Sequence, residues 1–320
     1  MDNLSVLPKR SPEVRLKSKR VQDFRNNFEL LLLAIPAIVF IFIFKYTTMV
    51  GVLVAFKNFK YNLGFWKSDW VGFRNFRFFF ESQDAWRVTR NTVGMNLIFI
   101  ALGLITSVGI AILLFEISKK IFIRVYQTAM IFPNFISWVV AGYMFYAFFN
   151  VQYGIFNGLL QSLGLEPIYW YSKAEYWPFI LAFASIWKGA GWGSVIYYAA
   201  LVGIDPQYFE AAEIDGAKKL QVIKYITIPF LKPLMIILTI LAIGGIFSAD
   251  FGMFYNLARD IGPLYPTTDV IDTYVYRSLR VNGDIGMSSA VGLYQAVVGF
   301  VLVLTTNFVV RRISPENSLF

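Results

Sequence analysis

The sequence predicts an all-α protein, a polytopic membrane helical bundle of six transmembrane helices, and three observations carry that prediction. Of its 320 residues 57% are hydrophobic and only 15% charged, with a mean hydropathy of +0.56, far more apolar than a soluble domain. Six runs reach the roughly 20 residues that a helix needs to cross a bilayer core of about 30 Å. Those runs are continuously apolar, unlike the alternating stretches of about ten residues that build an outer-membrane barrel.

The six spans fall at about Phe28 to Phe56, Asn91 to Phe115, Tyr126 to Phe149, Trp177 to Leu201, Leu234 to Tyr255 and Gly286 to Val310. They divide the chain into a polar tail at 1–27, a membrane domain at 28–310 and a second tail at 311–320. The first tail carries seven basic and three acidic residues. The apolar run after it is longer than the core of a signal peptide, so it stays as an anchor.

Basic residues sort the segments by side. The first tail, the turn at Lys119, Lys120 and Arg124, the loop with Lys218, Lys219, Lys224 and Lys232, and the end at Arg311 and Arg312 all lie on one side of the six spans. The positive-inside rule makes that side the cytoplasm, with both termini on it. Segment 57–90, on the other side, runs against the pattern with seven basic residues. Topology thus accounts for much of the net charge of +9, with no nucleic-acid partner. The chain has no cysteine and no histidine, which removes disulfides, thiolate-held metals and imidazole chemistry.

In order, the segment after span one holds Trp66, Trp70 and the run Phe73 to Phe80, aromatic and basic residues interleaved as in a helix lying among lipid headgroups. The same residues could meet a partner or substrate. Span two is rich in small residues (Gly94, Gly103, Ser107, Gly109) that let helices approach. Span three contains Pro133 and Asn134, which bend it, and span four contains Gly189 and Gly193, a GxxxG face. Lys188 lies near the middle of span four, where a lysine costs on the order of 3 kcal/mol. It is either a pathway residue or half of an ion pair, and Asp250 is the candidate partner by depth. Beyond span five, Gly262 to Pro266 form a structured loop, followed by a short helix capped by Thr267 or Thr268.

The longest polar interval between spans in the second half is Asp205 to Pro233. Pro206 suits a first helical turn, Tyr208 to Ile214 are helix formers, and Asp215-Gly216 is a stop. A second helix then runs from Ala217 to Ile228, ending at Pro229. Glu210-Ala211-Ala212, then Asp215-Gly216-Ala217, then Ile226, Ile228 and Pro229 resemble the EAA signature of the permease subunits of binding-protein-dependent ABC importers. Ile223 and Ile228 stand where Phe and Leu are common in that signature. Tyr153-Gly154-Ile155-Phe156-Asn157 is similar to an element after span three of sugar-type permeases, where Pro133 also has a counterpart. Thr268 to Arg277 is similar to an element of the subgroup importing polysaccharide-derived oligosaccharides.

The resemblance implies a type I ABC importer permease fold in a bacterial inner membrane. It implies that the loop is a coupling helix seated in a cytoplasmic ATPase, with Glu210 and Gly216 as hallmark positions. Its partners would be a second, homologous permease, two ATPase subunits that carry ATP and Mg, an extracytoplasmic solute-binding protein and an oligosaccharide. This chain would bind no cofactor or metal itself and has no catalytic residues. The sequence agrees in lacking a Gly-x-x-x-x-Gly-Lys-Ser/Thr phosphate loop.

Two other classes compete. An ion-coupled secondary transporter needs intramembrane carboxylates, and only Asp250 with Lys188 is available. A membrane glycosyltransferase needs paired carboxylates, and Asp269 with Asp272 is the best pair. Sugars are gripped by aromatic faces and by amide and charged groups, which makes Asn96, Trp138, Tyr143, Trp187, Lys188, Asp250 and Tyr255 the candidate substrate pathway. The basic segment 57–90 with Lys188 suits an acidic, uronide-like sugar.

Overall fold

Apolar runs of this length leave the backbone no partner but itself inside a bilayer, and helices are the result. The computed structural model describes residues 27–313 and Pro315, and the tails expected at 1–27 and 311–320 lie largely outside them. Among the described residues five helices are long and apolar enough to cross a membrane, and one bent pair makes a sixth.

The chain divides at Leu53 and Val54 into two units. The first begins with α1 (Phe28–Ile41), continued by a π turn at Phe42–Tyr46 and further helical turns. Leu33, Ile38 and Phe42 are exposed along it, as a lipid-facing helix requires.

In the second unit the segment expected as one interfacial helix is a composite. A two-stranded antiparallel ribbon pairs β1 (Lys57–Asn58) with β2 (Asp69–Trp70), and the short α2 (Arg74–Phe80) follows. Helix α3 (Gln83–Phe115) starts two turns before the expected span. Span three is broken: α4 (Lys120–Ile131), extended by a turn to Phe135, meets α5 (Trp138–Phe149) at 96°. Pro133 ends the first half, and the Ser137 hydroxyl accepts from the Val140 N–H to start the second.

Within α6 (Ile155–Ser162), Asn157 is buried and clasps the loop that follows the helix. Its amide oxygen accepts from the Ile168 N–H (3.0 Å) and the Trp170 indole (3.1 Å), and its nitrogen donates to the Ile168 carbonyl (2.9 Å). Asn157 of the Tyr153–Asn157 element therefore has a structural role.

Helix α7 (Trp177–Val202) packs along α3. The expected GxxxG face is shifted: a Cβ at Gly189 would meet nothing, whereas one at Gly191 would lie 1.9 Å from the Met130 carbonyl oxygen and one at Gly193 2.3 Å from the Ser107 hydroxyl. Gly191→Ala should therefore force α4 and α7 apart and cost about 3 kcal/mol by overpacking. A melting temperature in detergent equal to wild type would refute this contact.

The loop that follows starts with α8 (Gln207–Ile214). Pro229 does not end the next helix. Lys219–Val222 (α9), a π turn at Ile223–Thr227 and α10 (Ile228–Gly244) form one continuous rod. The carbonyl that Pro229 would strand belongs to Tyr225, inside the wider π turn, which relieves the clash that normally stops a helix. Span five is accordingly Lys219–Gly244 and not Leu234 to Tyr255. Its expected outer half is a separate short helix, α11 (Phe251–Ala258).

Helix α12 (Ile271–Asn282) is not capped by Thr267 or Thr268. The Thr273 hydroxyl accepts from the Val270 N–H at 3.1 Å instead. Helix α13 (Ile285–Ile313) is the last span. Three apolar clusters hold the unit, the largest joining Phe145, Trp177, Leu181, Phe254 and Leu257 of α5, α7 and α11.

Candidate functional site

Two regions carry chemistry, one in the 205–233 loop and one at the opposite ends of the spans. In the loop, the Asp205 carboxylate accepts from the Gln207 N–H (3.0 Å) and Pro206 opens α8. The helix closes with two paired bonds, Gly216 N–H to the Glu213 carbonyl (3.0 Å) and Ala217 N–H to the Ala212 carbonyl (2.9 Å). That closure needs a left-handed residue at 216, and Gly216 has φ 72°.

The loop is tied to its own chain along one edge. Phe209 packs on Phe115 with centroids 5.4 Å apart, Tyr208 on Phe230 at 5.0 Å, and Lys219 pairs with Glu116 at 2.8 Å. Only Ala212 of α8 is buried. Ala211, Glu210 and Asp215 face outward, and Ile214 and Leu220 are 86% and 79% exposed. Ala217 sits half-buried beside Gly216 on a recess of about 370 Å³. Away from that edge the loop presents an apolar, Glu210-bearing surface with no partner among the described residues.

At the other ends of the spans, the break between α10 and α11 leaves backbone at 245–250 outside any helix. Its polar groups are met by side chains: the Asn96 amide donates to the Ile246 (2.8 Å) and Ser248 (3.1 Å) carbonyls, and Gln295 donates to the Phe247 carbonyl (2.6 Å). The Asp272 carboxylate accepts from the Ala249 N–H (2.7 Å). Asn96 is therefore committed to this backbone, and Gln295 and Asp272, which join it there, lack any one-dimensional signal.

Lys188 is not ion-paired with Asp250. Its ammonium donates to the Asn134 carbonyl at 3.2 Å and to that of Ile136, capping the broken end of span three, and lies 4.8 Å from the Trp138 ring. Asp250 instead accepts from the Trp138 indole (2.6 Å) and from the Met253 N–H (3.1 Å), starting α11. Trp138 thus stands between the two charges. A Cβ on Gly252 would lie 2.7 Å from Trp138, so the indole seats on a bare backbone.

Trp187 packs against the core beside Phe145. Tyr255 stacks on Phe251 (5.0 Å) and meets Tyr276 (5.1 Å). Tyr143 is exposed on α5, 5.9 Å from the Arg259 guanidinium. Trp138, Tyr143, Lys188, Asp250 and Tyr255 therefore share the region of α5 and α11, and Trp187 belongs to packing.

Asp269 and Asp272 are no catalytic pair. Asp269 is buried between Arg87 (2.8 Å) and Arg277 (2.6 Å), and Arg277 also reaches Asp260 (2.6 Å). Burial pulls the Arg277 pKa down, but its bonds to Asp269 and Asp260 outweigh that and leave it raised. Burial pushes the Asp272 carboxyl up. Both carboxylates are spent on structure.

The described residues form a helical membrane bundle with one broken span and an exposed helix-turn-helix. Residues 100–315 match the binding-protein-dependent transport system inner membrane component family, and the chain belongs to it as a multi-pass inner membrane protein. It is 36% identical over 288 residues to Protein LplB of Bacillus subtilis (strain 168), covering 90% of each chain. It is 30% identical over 313 residues to the polygalacturonan/rhamnogalacturonan transport system permease protein YteP of the same organism, covering 98% of this chain and 96% of that one. Its fold is similar to a bacterial ABC transporter involved in the import of the acidic polysaccharide alginate, with a TM-score of 0.84, 30% identity and coverage of 92% of this chain and 99% of that chain. Family membership sets aside the ion-coupled carrier.

Proposed function

We propose that this chain is the permease subunit of an ATP-driven ABC importer for an acidic, uronide-like oligosaccharide, working beside a second, homologous permease. The observation that carries the reading is the 205–233 loop, a turn fixed by Gly216 with an exposed apolar surface, in a family named for binding-protein-dependent transport. Glu210 to Ala217 would seat in a cytoplasmic ATPase, which puts both termini on the cytoplasmic side. The continuous rod from Lys219 to Gly244 then carries the ATPase's motion straight into span five.

ATP and Mg belong to that partner, and this chain breaks no covalent bond. A solute-binding protein delivers the sugar on the opposite face. The region of Trp138, Tyr143, Lys188, Asp250 and Tyr255 supplies aromatic and charged groups to the pathway. Acidic sugars are favoured by the names of the relatives and by the seven basic residues in 57–90.

Uptake by the reconstituted complex tests this. Transport should stop when the ATPase subunits cannot hydrolyse ATP, and oligogalacturonides should be preferred over neutral oligosaccharides of equal length. Uptake that collapses with an uncoupler at constant ATP would end the importer reading, and preference for the neutral sugar would end the acidic one.

A further inference from the structure

Arg259 is a charged group that neither the coupling loop nor the helix breaks employ. It closes α11 in the left-handed region at φ 57°, and Asp260 follows at φ 50°. Successive non-glycine residues in that region are uncommon and persist only where their surroundings dictate it. Here they do. Arg277 holds the Asp260 carboxylate at 2.6 Å and the Tyr265 hydroxyl meets it at 3.1 Å. The Tyr171 hydroxyl donates to the Leu257 carbonyl at 3.3 Å, and the Ile261 N–H to the Ala258 carbonyl at 3.4 Å. The turn is clamped on both sides without help from the Arg259 side chain.

The clamp aims the guanidinium. It lies over the Tyr146 ring, 4.2 Å from the centroid, with Tyr143 at 5.9 Å, and all three residues are exposed. Among the described residues Arg259 donates no hydrogen bond and makes no ion pair, whereas Arg87, Arg90, Arg277 and Arg280 all donate. A guanidinium stacked on an aromatic face keeps its in-plane N–H groups free, and that fork matches a carboxylate. The adjacent Tyr143 ring offers a flat face to a sugar. Asp250, at the far end of α11, is already occupied by Trp138 and Met253.

We infer that Arg259, on the shelf of Tyr146 and Tyr143, is a subsite for the carboxylate of a uronate residue in the transported oligosaccharide. This rests on the acidic-sugar reading above. An arginine held rigid in a strained turn and left without donors' partners is arranged for an anion that arrives and leaves. The strain and the stacking together distinguish it from the other exposed arginines, such as Arg74 and Arg124.

The test uses the complete transporter with its binding protein in liposomes, and as probes tetragalacturonate and its methyl ester, which keeps the rings but loses the charge. Any preference of the binding protein is common to all permease variants and cancels in the comparison. Arg259→Gln should raise the KM for the free acid about tenfold, with the loss falling on KM and not on the maximal rate, and should shrink the acid-to-ester preference by the same factor. Arg259→Lys should recover part of it, and Tyr146→Leu should lose part.

An unchanged acid-to-ester preference in Arg259→Gln overturns the subsite while leaving the importer reading intact. A wild type that does not import tetragalacturonate overturns both. If Arg259→Gln instead weakens capture of the sugar-free binding protein by the liposomes, the arginine faces a carboxylate of that protein and the subsite is wrong.

Discussion

Gly216→Pro is expected to cut transport at least about tenfold while the chain still inserts and folds. Proline locks φ near −65°, whereas the loop holds Gly216 at 72°, and it removes the N–H that donates to the Glu213 carbonyl. The second closing bond, from Ala217 to Ala212, then loses its geometry as well. Nothing lies within 4 Å of where a Cβ would be, so Gly216→Ala tests conformation without a clash. It should cost only about 1 kcal/mol, and transport should fall less than in the proline variant. Glu210→Lys probes the same surface by charge, since Glu210 is exposed and its carboxylate has no partner among the described residues. If it pairs with a basic group on the ATPase, reversing it should weaken capture of that subunit about tenfold or more. Co-purification of the ATPase and sugar uptake are the measurements. Wild-type values in Gly216→Pro and in Glu210→Lys, at normal expression, would sink the coupling assignment.

The loop was legible because its signals are local. A proline at a helix start, a glycine at a helix end and a run of helix formers each act over a few residues, and the structure uses all three. Spans one, two, four and six were legible for the same reason, since a bilayer imposes one length on each. What escaped lies where backbone and side chains far apart in sequence satisfy each other. Pro229 reads as a stop, yet the π turn before it lets the rod continue. Lys188 reads as needing a carboxylate, but the break in span three frees two carbonyls, and these together with the Trp138 ring meet the charge. The break at 245–250 is stable only because Asn96, Gln295 and Asp272 converge on it from three other helices. No periodicity of residues 230–260 announces that convergence. The glycines show the limit in miniature: Gly189 and Gly193 have the spacing of a packing face, but the close neighbours lie at Gly191 and Gly193.

A large effect on stability is expected at Asp269. Its carboxylate is fully buried, accepts from Arg87 and Arg277, and also takes the Thr273 hydroxyl at 3.1 Å. It ties α12 to the start of α3, where Asn91 adds bonds to the carbonyls of Pro266 and Asp269. Removing one member of a buried ion pair costs about 3–5 kcal/mol because the remaining charge stays out of water. Asp84 and Asp260 still neutralise the two arginines, so Asp269→Asn should fall at the low end, about 3 kcal/mol. Asp272, three residues on, should behave in the opposite sense. Burial raises its pKa against the bonds from Ala249 and Gln295, so the folded chain holds that proton more tightly than the unfolded chain. Its contribution to stability is complete at low pH and is lost as pH rises from the ordinary carboxylate range through the raised value. Asp272→Asn cannot ionise, and its stability should not fall across that window. Thermal melts of both variants in detergent across pH 4 to 8, a range of about four units upward from the ordinary carboxylate pKa, make the comparison. Equal destabilisation by the two substitutions at neutral pH would show that Asp269 and Asp272 do not divide the work as their contacts indicate.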